Sequence, residues 1–404
     1  MPYLRHTHIK APCTITGRNE QRLKLSPIRV LALMEAATVG GPSKNLIQIG
    51  VRGAQAEEGH QLALSIVTFQ RGLSGAPTPF VAAARQAGLT VHVLTERRRF
   101  DSSPARQLKE LTARVRPDII QSHNIKSHLF VRATGLHKLY PWVAFQHGYT
   151  ATDLKDQIYN QVDRWTLRAA HRVVAVCQAF ADRLEARGIR KERIRVQHNS
   201  VRPFEPPPAE VTAELRKTFG LEDHLVILAV GRLSREKGHA DLLQAAAQLR
   251  KQNLMPWKLL LVGDGPEQAN LEAQRKALGL ESEVVFAGHQ TDVRPFYAAA
   301  DLLALPSHTE GSPNVVLESM AAGVPVAGCA VGGVPEILID NETGLLSPAH
   351  DPAALAGNLA RLIEEEPLRR KLAATAWQEA GRYSPENQYR ALLSTYDELL
   401  SERG

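Results

Sequence analysis

From Pro27 the chain alternates short apolar runs with amphipathic stretches of helical length, breaks once, and then begins the same alternation again. The runs IRVLALME, LALSIVTF, LTVHVLT, PDIIQSH, PWVAFQH and RVVAVCQ precede the break, and LVILAVGRLS, WKLLLVGDG, EVVFAGH, DLLALPS, VPVAGCA and TGLLSP follow it. Short apolar strands separated by helices pair in parallel through crossover connections, whose handedness places helices on both faces of each sheet. The break, RPFEPPPAEV, holds four prolines between Pro203 and Pro208. Such a segment continues neither a helix nor a central strand and reads as a stiff connector. The expected fold class is α/β, with two successive doubly wound parallel-sheet units at 26–203 and 204–384. Residues 385–404 form a separate helical pattern, and residues 1–25, polar and basic without an apolar core, read as a flexible tail rather than a secretory signal. At 404 residues the chain is long for one hydrophobic core, which agrees with two units.

The net charge of +7 conceals an asymmetry that falls at the same connector. Residues 1–203 hold 31 Lys+Arg against 14 Asp+Glu, or +17, which leaves 18 against 28, or −10, for the rest. A basic half suits a phosphate-bearing substrate or an anionic membrane surface. Nucleic acid ranks lowest, because no aromatic-interleaved basic motif or zinc pattern accompanies the charge. Arg97, Arg98, Arg99 and the helices near Arg164–Arg195 are the candidate docking residues. Cys13, Cys177 and Cys329 are three widely spaced cysteines, which argues against a disulfide framework and for a reducing compartment. No run approaches the roughly 18 consecutive apolar residues of a membrane span. The expected location is cytoplasmic, with peripheral attachment to the cytoplasmic membrane face.

In open parallel sheets ligands bind beyond the carboxyl ends of the strands, so polar residues that follow strands are the candidates. Arg232 and Lys237 follow VILAV, Gly263 and Gly265 follow LLLV, His123 follows PDIIQS, His147 follows WVAFQ, and Asn199 follows RVQH. A plainer reading exists for each: solvated surface charges, a strand-to-helix turn, or core histidines. Glu310 and Glu318 frame HTEGSPNVVLESM. There Ser312 reads as an N-cap and Pro313 as the first helical residue, which puts Glu310 on the loop and Glu318 inside the helix. Val315 stands where a capping box would need Glu or Gln, so the N–H groups of this helix start stay available to an anion. The alternative is a helix start that happens to carry glutamates.

Taken together, VGGPSKN, HNIKS, FQHG, HNSV, VGRLSREKG, VGDGP, FAGHQTDVRPFYAAADLLALPS, EGSPNVVLESMAAGVPVAG and GGVPEILIDNETGLL closely resemble the GT-B glycosyltransferases of family 4, a retaining, nucleotide-sugar-dependent group. The likeness runs from about Pro27 to the end, and Glu310 and Glu318 match the family's paired glutamates. The resemblance implies two Rossmann-like domains facing a central cleft, an acceptor domain first and a donor domain second, with YSPENQYRALLSTYDELL as a terminal helix crossing back onto the first. It implies donor-diphosphate binding by Arg232 and Lys237, ribose binding by Glu318 and sugar-hydroxyl contacts from Glu310. It also implies phosphate contacts from the backbone at Asn314 and Val315, close passage of Gly40 and Gly41, and His147 facing the sugar. His123 and Asn199 are assigned to the acceptor side. Two positions depart from the family: Ser200 stands where glycine is usual after Asn199, and Gln121 replaces the first histidine of a two-histidine pattern completed by His123.

The chemistry also follows from the residues. A nucleoside diphosphate leaves readily when its charge is neutralised, which Arg232, Lys237 and a helix start provide. No Asp-x-Asp occurs and no cluster has metal-ligand spacing, so no metal and no cofactor is expected. The expected partners are a nucleotide-sugar donor and a sugar or lipid-linked acceptor, in cell-surface polysaccharide, lipopolysaccharide or glycolipid assembly. A sugar-nucleotide epimerase or hydrolase, a glycogen-phosphorylase-like enzyme and a non-catalytic sugar-nucleotide-binding protein remain as alternatives.

Overall fold

The computed structural model describes residues 26–57, 60–72, 76–98, 101–147 and 154–402, without the side chains of 154–160. The expected tail 1–25, Cys13 and Arg99 lie outside the described residues. In the first half, seven parallel strands, β1 (Ile28–Leu33), β2 (Leu62–Arg71), β3 (Thr90–Glu96), β4 (Ile119–Ser122), β5 (Trp142–Gln146), β6 (Arg172–Ala175) and β7 (Ile194–Val196), form a sheet in the order β3-β2-β1-β4-β5-β6-β7. The second half holds β8 (Leu225–Val230), β9 (Trp257–Val262), β10 (Val284–Gly288), β11 (Leu302–Leu305), β12 (Val326–Cys329) and β13 (Leu345–Ser347), in the order β10-β9-β8-β11-β12-β13. Both orders reverse direction once, between β1 and β4 and between β8 and β11. Those reversals open the crevices in which such sheets hold ligands.

Every apolar run read from the sequence forms a strand; the central strands are buried on both faces, and the edge strands β3 and β10 are only partly buried. Ile227, Ala229, Leu259 and Leu261 pack on one side of the second sheet, and Val226, Leu228, Leu260 and Val262 on the other. The first sheet divides the same way, with Val30 and Ala32 opposite Leu31 and Leu33. Strand β7, an edge strand of three partly exposed residues with no apolar run to mark it, overlaps the RVQH that precedes Asn199. The first helix spans Gly41–Ala54. It lies flat on the sheet, and a Cβ at Gly53 would stand 2.7 Å from that of Leu62.

The final helix, Pro385–Ser401, starts on a Ser384 hydroxyl that accepts from the Asn387 N–H at 3.2 Å. Its Tyr389, Leu392, Leu393, Tyr396 and Leu399 belong to the same buried cluster as Val30, Ala32 and Ile66. Arg52–Glu386 and Arg195–Glu398 fasten it at 2.5 and 2.6 Å. The last residues of the chain thus complete a core built from its first strands. Leu392 is fully buried, so Leu392→Ala should cost about 2–5 kcal/mol. Hydrogen exchange should speed up in β1 and β4 while β8 and β9 keep their protection; equal loosening of both sheets would contradict this division.

Candidate active site

The loops that leave β8 and β11 build one wall of the cleft. After β8 the chain makes a tight turn, Arg235–Lys237, closed by Gly238 at φ 66. A Cβ at Gly238 would lie 2.0 Å from the Pro306 carbonyl oxygen, so only glycine lets this turn press against the loop after β11. That approach brings Lys237 Nζ to 2.7 Å from Glu310 Oε1, and the Ser307 hydroxyl donates to the same oxygen at 2.7 Å. Glu310 is only 8% exposed, and a carboxylate so buried needs partners of this kind. Both fall on Oε1, which leaves Oε2 for a ligand hydroxyl.

The helix Asn314–Ala321 begins at Pro313, one residue later than the expected Ser312 cap. The reason is that Ser312 is already engaged by the first domain. Its hydroxyl accepts from the Asn199 N–H at 2.9 Å, and its carbonyl accepts from Asn199 Nδ2 at 2.7 Å. Asn45 then donates to Asn199 Oδ1 at 2.6 Å. Asn199 therefore ties the two domains together, a position its place after RVQH did not reveal. With no side chain capping the helix, the N–H groups of Asn314 and Val315 have no intrahelical acceptor and keep the dipole's positive end open.

A cavity of about 280 Å³ collects Gly41, His147, Asn199, Lys237, Glu310, Asn314 and Val315 from both domains. Glu318 lines a neighbouring cavity of about 310 Å³ with Lys44, Asn45 and Asn314. There Tyr297 donates to Glu318 Oε2 at 3.1 Å and Lys44 Nζ reaches Oε1 at 3.1 Å across the domain boundary. Burial, then the charge of Glu318, pushes the Tyr297 hydroxyl well above its ordinary pKa, so it stays a donor. Arg232, Gly263 and Gly265 line neither cavity. Arg232 is exposed, and close enough to Glu236 that, against the effect of burial, it joins the Ser234 hydroxyl and Lys237 in lowering the pKa of that carboxyl. Gly263 and Gly265 shape the loop instead, since a Cβ there would stand 1.9 Å from the Gly231 oxygen and 2.3 Å from the Leu233 oxygen.

A third cavity, about 400 Å³, opens on the first domain and includes Glu35, Thr38, Asn124, His123, His128 and His147. No Arg or Lys is among its described lining residues, so the positive charge of this half lies elsewhere. Behind it runs a hydrogen-bonded relay. Tyr396 of the final helix donates to Gln121 Oε1, Gln121 Nε2 meets His123 Nε2 at 2.6 Å, and His123 Nδ1 meets His147 Nε2 at 3.2 Å. Since the amide nitrogen donates to His123, the His123 proton sits on Nδ1 and is donated to His147, whose own proton then sits on Nδ1. Burial, followed by the neighbouring His147 and His128, drives His123 well below the ordinary histidine range, and burial pushes His147 down to about 4. Gln121, the departure from the two-histidine pattern, is thus the residue that sets both tautomers.

Two parallel doubly wound domains with their strand ends facing across a cleft lined by paired glutamates, a lysine and an open helix start define a GT-B glycosyltransferase. The chain belongs to this family: its residues 211–379 match the glycosyl transferases group 1 model and 51–203 the glycosyltransferase family 4 model. It is 28% identical over 307 residues to N-acetyl-α-D-glucosaminyl L-malate synthase of Bacillus anthracis, spanning 74% of this chain and 78% of that one. It is 31% identical over 266 residues to 2-deoxystreptamine glucosyltransferase of Streptomyces kanamyceticus, spanning 64% and 68%. It covers about half the length of a D-inositol 3-phosphate glycosyltransferase that it also matches. Anabaena HepE, solved in complex with UDP and with UDP-glucose, has the same fold, with a TM-score of 0.80 at 23% identity over 92% of this chain and all of that one.

The relay has a pH consequence. An unfolded histidine binds its proton near 6.5, whereas His147 in the fold does so only near 4, so the unfolded state holds more protons between these values. Burial holds His239 near 4 as well. Stability should therefore be complete above pH 6.5 and fall as pH drops towards 4. A melting temperature at pH 4.5 equal to that at pH 7.5 would contradict the neutral assignment.

Proposed function

We propose that the chain transfers a sugar from a nucleoside-diphosphate sugar to an acceptor hydroxyl with retention of configuration. The observation that carries this reading is the Lys237–Glu310 pair set beside the uncapped start of the helix Asn314–Ala321. Cation and free N–H groups on one side, and a fixed carboxylate on the other, suit a diphosphate joined to a polyhydroxylated ring. Arg232 and Lys237 neutralise the leaving diphosphate together with the N–H groups of Asn314 and Val315, so no metal is assigned to this step. Glu318 holds the ribose and Glu310 the transferred sugar, with Oε2 as its accepting atom. His147, neutral, donates from Nδ1 on the sugar side of the cavity.

The bond from the anomeric carbon to the diphosphate oxygen breaks as the acceptor oxygen bonds to that carbon on the same face. The acceptor proton passes to the leaving phosphate oxygen. Glu310 positions the sugar and stabilises the oxocarbenium-like charge, and it forms no ester. The acceptor enters the first-domain cavity beside His123 and His147. Because that cavity presents no Arg or Lys among its described lining, the excess positive charge of this half is assigned to docking instead. Trp165 is 55% exposed and Leu139 69% exposed, and the Arg132 guanidinium lies 3.4 Å from the Trp165 ring centroid. An exposed aromatic among arginines suits the headgroup level of an anionic membrane, which supports the reading of an activity in polysaccharide, lipopolysaccharide or glycolipid assembly at the cytoplasmic face.

A panel of UDP-, GDP- and ADP-sugars should yield one donor that raises the melting temperature and is consumed in an acceptor-dependent way, with EDTA leaving turnover intact. Free sugar or an epimer formed without acceptor would favour a hydrolase or epimerase, and a trapped glycosyl ester on Glu310 would overturn the positioning role. Glu310→Ala should lower kcat about 100-fold or more while nucleotide affinity changes little, and Glu318→Ala should mainly weaken nucleotide binding. Vesicles containing phosphatidylglycerol should bind the chain, less well at high salt; binding indifferent to salt and to anionic lipid would rule out docking through Trp165 and its arginines.

A further inference from the structure

Two loops and the start of a helix in the second domain meet outside the cavities described above and bring together side chains that the sequence keeps far apart. Asp241 lies in the first turn of the helix His239–Leu249, His308 on the loop after β11, and His350 between β13 and the helix Pro352–Glu364. The Asp241 Oδ2 is 2.8 Å from His308 Nε2 and 3.7 Å from His350 Nδ1. One ligand atom from each residue falls within 4.8 Å of the others. His350 sits at φ 59, a left-handed conformation that carries its ring onto that of His308, with centroids 3.8 Å apart. A hydrogen bond accounts for Asp241 and His308. It does not account for a second imidazole nitrogen directed at the same carboxylate from outside hydrogen-bonding range.

We propose that Asp241, His308 and His350 bind a divalent transition-metal cation of the zinc class. Zinc takes His nitrogen and carboxylate oxygen at about 2.0–2.2 Å, which in tetrahedral geometry sets neighbouring ligand atoms about 3.3 Å apart. The separations in this cluster straddle that value, and small rotations of the exposed His350 close the set. Two imidazoles and one carboxylate favour zinc, cobalt or nickel over magnesium or calcium, and leave one or more positions to water. None of the three residues lines the cavities that hold Lys237, Glu310 and Glu318, so this ion is separate from the diphosphate chemistry.

Its effect is mechanical. The His308 N–H donates to the Glu236 carbonyl at 2.9 Å, and a Cβ at Gly238 would stand 3.1 Å from His308 Nε2. The turn that carries Lys237 therefore rests on His308, two residues before Glu310. An ion joining His308 to Asp241 and His350 braces both loops behind the Lys237–Glu310 pair.

The test uses the full chain stripped with EDTA and desalted. Zn²⁺ or Co²⁺ should bind with one equivalent at this site and raise the melting temperature, with visible Co²⁺ absorption bands, while Mg²⁺ does neither. His350→Ala and His308→Ala should each weaken binding by at least about tenfold, since even outer-shell changes at metal sites cost 10–100-fold. His350→Ala is surface-exposed and should keep the wild-type circular dichroism and metal-free melting temperature, which separates a lost ligand from a lost fold. Affinity and stoichiometry unchanged in both variants, or no saturable binding by the wild type, would overturn the site. Persistence of sugar transfer in EDTA leaves this proposal standing, because its readouts are metal binding and stability.

Discussion

The peptide at Glu310–Gly311 is held so closely from both sides that the rest of the cleft depends on it. A Cβ at Gly311 would stand 2.7 Å from Val176 Cγ2 and 3.1 Å from the Phe180 ring, both in the first domain. Beneath it, Gly332 at φ 53 and Gly333 press on the same peptide, and Cβ atoms there would lie 1.7 Å from the Glu310 oxygen and 2.0 Å from the Gly311 oxygen. Three glycines let two sheets bring their carboxyl ends to backbone contact. Any side chain at these positions pushes the Glu310 carboxylate away from Lys237. The segment that carries Gly332 and Gly333 also reaches across the boundary, where the Glu336 carboxylate accepts from the N–H groups of Gln178 and Ala179 at 2.8 and 3.1 Å. That caps a helix of the other domain with a negative charge at its positive end.

The two walls of the cleft solve opposite electrostatic problems. In the second domain a buried carboxylate is paired with a lysine and a hydroxyl. In the first, burial lowers the pKa of three histidines, and a relay anchored on Tyr396 decides where the protons of His123 and His147 lie. A neutral donor facing a charged clamp suits a transition state that is cationic at the ring and anionic at the leaving group, because the first wall adds no positive charge to repel the ring. The final helix earns its return crossing twice, through the core it completes and through the hydroxyl that orients Gln121.

What the sequence made legible was what is local. Buried parallel strands are unbroken apolar runs, and the candidate residues stand in the loops that follow them, His147 one position after β5, Glu310 five after β11 and Lys237 seven after β8. Asn314 and Val315 were legible for a related reason, since the absence of a capping-box partner is a local property. The pairs that tune the site join residues far apart in the chain. Lys44 and Glu318 are separated by 274 positions, Gln121 and Tyr396 by 275, and Gln178 and Glu336 by 158. No spacing rule reaches across two domains, nor across the 67 positions that separate Asp241 from His308 within one. Ser312 failed for the same cause: its composition signalled a cap, but an asparagine from the other domain had claimed its hydroxyl.

The two glutamates differ in a way that bears on how the cleft opens. Both side-chain partners of Glu310, Lys237 and Ser307, come from its own domain, so no bond across the boundary has to break at that carboxylate. Glu318 draws one partner, Tyr297, from its own domain and the other, Lys44, from the first helix of the opposite one. Lys44 is half-exposed, and such a pair is worth little in water. In the proposed function, a ribose hydroxyl arriving at Glu318 would compete with a weak bond that spans the domains, while a sugar hydroxyl arriving at Glu310 would meet an Oε2 with no hydrogen-bond partner among the described residues. The nucleotide end of a donor would thereby displace a contact between the domains, which the sugar hydroxyl at Glu310 would not.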